Sequence, residues 1–138
     1  MTERYLLDTC AMLFIARDEP VSEAVRGLLG NLPSHPYEIV LSAFSAWEIG
    51  MLVAKGRLSL EREPLAWFRV VAARFDVEVL LPTPDLLVAA SFLPEPVHGD
   101  PADRILIATA RENDLTIITR DRAILAYGAA GHVKVLAC

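Results

Sequence analysis

The stretch DPADRILIATARENDLTIITRDRAILAYG, residues 100–128, decides the architecture. Asp100 followed by Pro101 reads as a helix N-cap with proline at the first helical position, so a helix is expected from there to Asn113. LTIIT, residues 115–119, is a short, almost wholly apolar run and reads as a strand. DRAILAYG, residues 121–128, turns helical again. A strand this apolar between two helices is buried on both faces, which is the signature of a parallel sheet covered by helices.

Working outward, the same alternation fills the chain. RYLLD (4–8), EIVLS (38–42), VEVLLP (77–82, closed by Pro82) and VKVLA (133–137) are expected strands. TCAMLFIAR (9–17), SEAVRGLLGNL (22–32), AFSAWEIGMLVAKG (43–56), PLAWFRVVAARF (64–75) and PDLLVAASFL (84–93) are expected helices. PSHPYE (33–38) and PEPVHG (94–99) are loops. With no repeat, low-complexity tract or linker, residues 1–138 are expected to form one α/β domain with a mainly parallel central sheet.

Composition narrows the function. The 138 residues are 54% hydrophobic and 22% charged, with a formal net charge of −5. That excludes a simple basic nucleic-acid binder, which needs a Lys/Arg patch for phosphate. The only lysines are Lys55 and Lys134, so a polyanion could be approached only with metal ions or local arginines. Cys10 and Cys138 do not suggest a disulfide framework and fit a reducing cytoplasm. They do not combine with His35, His98 or His132 at zinc-site spacing. The N-terminal residues lack a signal-peptide pattern, and no apolar run reaches the length of a membrane span.

In a parallel α/β sheet, ligands bind outside the carboxyl ends of the strands. Asp8 closes the first expected strand. Asp121 follows the fourth. Asp100 and Asp103 open a helix that starts at the same edge. Glu48 lies about six residues into its helix, roughly 8–9 Å at 1.5 Å per residue, and its long side chain leans back toward the helix start. Each acid also has a local reading. Asp100 and Asp121 are natural N-caps. Asp103 gains from the helix dipole, Asp8 could turn onto the backbone of Thr9 or Cys10, and Glu48 could lie on a solvated face. The joint pattern is stronger, because two like charges about 5 Å apart repel by roughly 3 kcal/mol at an effective dielectric of 20. Such a group either holds protons or binds cations. An all-oxygen site selects Mg²⁺ or Mn²⁺, the ions that hydrolyse phosphodiesters.

These residues form motifs. LLDT with Asp8, SAWE with Glu48, DPADR with Asp103 and ITRD with Asp121 resemble, in order and spacing, the four acidic motifs of PIN-domain nucleases. HGDPADRILIATA (98–110) is similar to the H-x-D-P-x-D-R-x-L-I-A-x-A segment of VapC-type toxins of type II toxin–antitoxin pairs. The resemblance implies a three-layer α/β/α sandwich and a Mg²⁺- or Mn²⁺-dependent endoribonuclease working through a metal-activated water. On it, Asp8, Glu48, Asp103 and Asp121 are the metal-binding catalytic acids, and Asp100 is a supporting residue or only a cap. Thr9, Ser45 and Thr119 stand beside the acids and could orient them. Arg104 and Arg120 could contact phosphate or pair with acids. Ala102 stands where many relatives carry a bulky aromatic.

The resemblance also implies an RNA substrate, a cognate antitoxin and a homodimer. The helices 43–56 and 64–75, with Trp47, Trp67 and Phe68 as anchors or as core, are candidate interfaces. The competing readings are a catalytically silent binding module, an aspartyl-phosphate phosphatase and a receiver-like domain. The phosphatase wants a second aspartate at position 10, which is Cys10. The receiver wants a lysine near the last strand, and Lys134 sits inside it. His98 is expected to be structural or solvated.

Overall fold

A computed structural model of the protein describes residues 3–30, 39–96 and 99–138. Asn31, Leu32, the expected loop 33–38 with His35, and His98 lie outside the described residues. The strands are β1 (Tyr5–Leu7), β2 (Ile39–Ser42), β3 (Glu78–Leu80), β4 (Thr116–Thr119) and β5 (Lys134–Ala137). The helices are α1 (Thr9–Ala16), α2 (Glu23–Gly30), α3 (Ala43–Ala54), α4 (Pro64–Arg74), α5 (Pro84–Ser91), α6 (Pro101–Asn113) and α7 (Arg122–Ala129). Each falls on a segment whose pattern predicts it.

The strands form one sheet in the order β3-β2-β1-β4-β5, and every pairing is parallel. From β1 the chain fills one half of the sheet with β2 and β3, then crosses back to lay β4 on the other side of β1. The junction of β1 and β4 is therefore the topological switch point, where α/β sheets open a crevice at their carboxyl edge.

The apolar strands build two cores because successive side chains point to opposite faces. Leu6 and Ile117 face a cluster with Leu86 of α5, Leu106 and Ile107 of α6, and Ile124 of α7. Leu7 and Ile118 face the other cluster, with Met12 of α1, Val25 of α2, Ile49 of α3 and Phe68 of α4. The result is the three-layer α/β/α sandwich. Burying each such side chain is worth about 1.5–3 kcal/mol, so the two clusters dominate the stabilisation. On the outer half, α7 meets β5 closely: a Cβ on Gly128 would stand 2.4 Å from Cγ2 of Val135.

The aromatics proposed as interface anchors divide. Phe68 is core, 6% exposed, and Trp67 packs partly buried against the same cluster. The apolar face of α4 turns inward, so these two serve packing. Trp47 is 57% exposed and stacks on Phe44, with ring centroids 5.1 Å apart. Among the described residues, the most exposed large apolar side chains are elsewhere: Phe92, just past α5, Leu81, just past β3, and Val88 on α5.

Candidate active site

Asp8 ends β1 and begins α1. Its extended backbone makes it the N-cap of α1, and Oδ1 accepts from the Ala11 amide at 2.6 Å. The local turn expected at Thr9 or Cys10 is thus a true cap one residue further on. The second carboxylate oxygen accepts from the hydroxyl of Thr119, the last residue of the neighbouring strand β4. Thr119 Oγ1 also accepts from the Asp121 amide at 2.9 Å, so one fully buried hydroxyl links two acids. Asp121 in turn caps α7, accepting from the Ile124 amide at 3.0 Å.

The third acid arrives from α3. Ser42 caps that helix through the Phe44 amide. The helix then carries Ser45, fully buried, and one turn later Glu48, which is half-buried. The Thr9 hydroxyl lies 2.6 Å from Oε1 of Glu48 and 3.0 Å from Oγ of Ser45. As the donor to the carboxylate, Thr9 fixes the outward end of Glu48, while Ser45 fixes Thr9 from below.

Asp103 comes from the first turn of α6. Asp100 caps that helix, its Oδ1 accepting from the amides of Ala102 at 2.8 Å and Asp103 at 3.3 Å. Asp8, Glu48, Asp103 and Asp121 line one cavity of about 260 Å³ together with Thr9, Cys10, Phe14, Leu106 and Arg120. The four acids predicted from separate segments meet there, at the switch point.

The electrostatics carry the marks of uncompensated charge. Burial raises the pKa of Asp8 above its usual 3.8, and the charge of Asp121 adds to the rise, against the Thr119 and Ala11 hydrogen bonds. Burial likewise raises Glu48, with further contributions from Asp100 and Asp8, against the Thr9 hydrogen bond. Asp100 therefore also acts on the site electrostatically. Burial and then the charges of Asp8, Glu48, Asp103 and Asp121 push the Cys10 thiol up to about 11. One thiol thus senses all four carboxylates.

Sequence reasoning missed Cys10, Phe14 and Leu106 as lining. The signal was available for the first two: they stand two and six residues past Asp8, on the helix that the acid caps. The arginines differ from each other. Arg104 turns back to α5, donating from Nε to the Ala90 carbonyl at 3.1 Å and from Nη2 to Ser91 at 3.2 Å. Arg120 stays at the cavity, its guanidinium carbon 4.1 Å from the centre of the Phe14 ring.

The donors are carboxylates and hydroxyls, with a single thiol. Such a set fits Mg²⁺ or Mn²⁺ better than zinc. In this conformation no three acidic, His or Cys side chains among the described residues are gathered tightly enough to hold an ion. Asp8, Asp100 and Asp121 each direct an oxygen to the start of their own helix.

Comparisons with known proteins agree with this geometry. A family model described as the PIN domain matches residues 5–129. Ribonuclease VapC22 of Mycobacterium tuberculosis is 32% identical over 93 residues, covering 67% of this chain and 70% of that protein. Among solved structures, VapBC2 from Rickettsia felis bound to a DNA fragment from their promoter has a TM-score of 0.70 at 14% identity, covering 96% of this chain and 97% of that one. FitAcB from Neisseria gonorrhoeae has a TM-score of 0.58 at 20% identity, covering 96% of each. The structural likenesses establish the fold, and the family match, spanning all four acids, establishes kinship: the chain belongs to the PIN-domain family.

Proposed function

We propose that the protein is a divalent-metal-dependent endoribonuclease, the toxin of a toxin–antitoxin pair. The single observation that carries this is the meeting of Asp8, Glu48, Asp103 and Asp121 in one cavity at the switch point of the sheet. The similarity to Ribonuclease VapC22 supports RNA as the substrate. Asp8, Glu48, Asp103 and Asp121 would hold the ion. Bound there, Mg²⁺ or Mn²⁺ supplies Lewis acidity at the phosphoryl group and lowers the pKa of water.

The chain's own groups prepare that chemistry. Asp8 is held at both oxygens, by Ala11 and Thr119, so its orientation is set before any ligand arrives. Thr9 does the same for Glu48. Burial first, and the neighbouring carboxylates after it, raise the pKa of Asp8 and Glu48, and a bound cation would favour their charged forms. Without the ion, the acids repel a phosphodiester, which ties substrate approach to metal loading.

The structural neighbours include toxin–antitoxin complexes, which supports a cognate antitoxin as partner. The resemblance to VapC-type toxins suggests a homodimer, for which the exposed apolar side chains Phe92, Leu81 and Val88 are candidate contacts. No helix among the described residues is long and apolar enough to cross a membrane. The free cysteines Cys10 and Cys138 support a reducing, cytoplasmic location. Cleavage of RNA by the purified protein with Mg²⁺, abolished in Asp8→Asn, tests the enzyme. Cleavage that survives Asp8→Asn removes the assignment. Sedimentation across a concentration series tests the dimer.

A further inference from the structure

Arg120 is held in an unusual way for an arginine beside an acidic cavity. It lies between Thr119 and Asp121, yet its guanidinium does not fork onto an acidic side chain. Nε donates to the backbone oxygen of Cys138 at 3.5 Å, and Nη2 donates to the Pro20 carbonyl. Those two N–H groups form the side-on fork with which arginine grips phosphate or carboxylate, and here backbone oxygens occupy it. The guanidinium carbon lies over the Phe14 ring, 4.1 Å from its centre. Arg120 is exposed as a residue, and both Phe14 and Arg120 line the cavity of the acids.

We infer that the outward face of Arg120 is a stacking platform for one unpaired nucleobase of the RNA, next to the phosphodiester that is cut. The inference rests on the ribonuclease reading and deepens it. Single-stranded bases stack on aromatic rings and on guanidinium planes. Phe14, Arg120 and the base would form a three-layer stack, with the cation in the middle held by Pro20 and Cys138. The platform serves positioning: it holds the strand so that the neighbouring phosphate lies over the acids. With Nε and Nη2 held on backbone oxygens, the guanidinium is fixed over Phe14, and recognition runs through its plane. A base stacked there contributes sequence tolerance, since every base has a flat face.

The test uses a single-stranded RNA that the full-length protein cuts with Mg²⁺, its cut site mapped. Each nucleotide flanking the cut is replaced in turn by an abasic ribose. The expected result is one position at which the loss raises KM about tenfold or more, with kcat little changed. Arg120→Lys keeps the charge and removes the plane. It should raise KM on intact RNA by a similar factor and show no added penalty on the abasic RNA. An abasic profile that is flat in the unaltered protein overturns the inference, and this arm needs no variant to fold. Penalties that multiply in Arg120→Lys also overturn it. If the unaltered protein cuts no RNA beyond the level of Asp8→Asn, the ribonuclease reading fails and the platform with it. Cleavage that requires Asp8 but shows a flat abasic profile removes the platform alone.

Discussion

Thr119 donates its hydroxyl to Asp8 across the β4–β1 pair and accepts the Asp121 amide on the same oxygen. Thr119→Val keeps the shape and removes both bonds. The buried Asp8 carboxylate and the part-buried Asp121 amide lose their partner, which should cost about 1–3 kcal/mol in urea unfolding. Because Asp8 also loses its orientation, RNA cleavage should fall by about tenfold or more, as expected when a group supporting metal ligands is removed. Loss of stability with full activity would show that the hydroxyl is structural only.

Asp8→Asn should stabilise the metal-free protein at neutral pH while abolishing activity. The folded pKa of Asp8 lies above its unfolded value, chiefly through burial. Between the two values the folded state binds the extra proton. The stability tied to this group is therefore fully present below 3.8 and is lost as pH rises through the folded value. Asparagine keeps the oxygen that caps α1 and carries no charge. Melting curves should place the variant above the parent at pH 7 and bring the two together as pH falls toward 4. A variant less stable at pH 7 would mean that burial of the charge is fully compensated.

Mn²⁺ should raise the melting temperature of the parent. An ion that binds only the folded state adds about 2.7 kcal/mol when present at one hundred times its dissociation constant. The shift should vanish in Asp8→Asn and shrink in Asp103→Ala. An equal shift in all three would place the ion outside this cavity.

Gly128→Ala tests the closest approach between helix and sheet. Alanine is favoured over glycine within a helix by about 1 kcal/mol. Here its methyl would stand 2.4 Å from Val135 Cγ2, and a β-branched strand residue has little room to turn away. The overpacking should win, with a net loss of about 1–3 kcal/mol. Gly128→Ala combined with Val135→Ala should recover part of it. A stabilised single variant would show that α7 shifts freely on β5.

Much of the molecule was legible in the residues. Uniformly apolar strands announced burial on both faces, and the pair Leu6–Leu7 does split between two cores. Asp100-Pro101 marked the start of α6 to the residue. The acids were legible because four of them closed strands or opened helices at one edge. Strand order was not, since nothing local tells β1 that its neighbours are β2 and β4. Nor could the reach of Arg104 be read, because its partners on α5 exist only after α5 and α6 have packed. Phe68 was ambiguous for a similar reason: an aromatic on an amphipathic helix serves a core or a partner equally well until the sheet position is fixed.

Asp8, Asp100 and Asp121 each fasten a helix start to the same rim that gathers the charge. Chemistry and scaffold are therefore written in the same atoms. Alleles that disarm the protein by exchanging one of these acids for an aliphatic residue would also fray the helix behind it. At these three positions, harmless yet intact copies narrow to amide replacements, which preserve the tether and drop the charge.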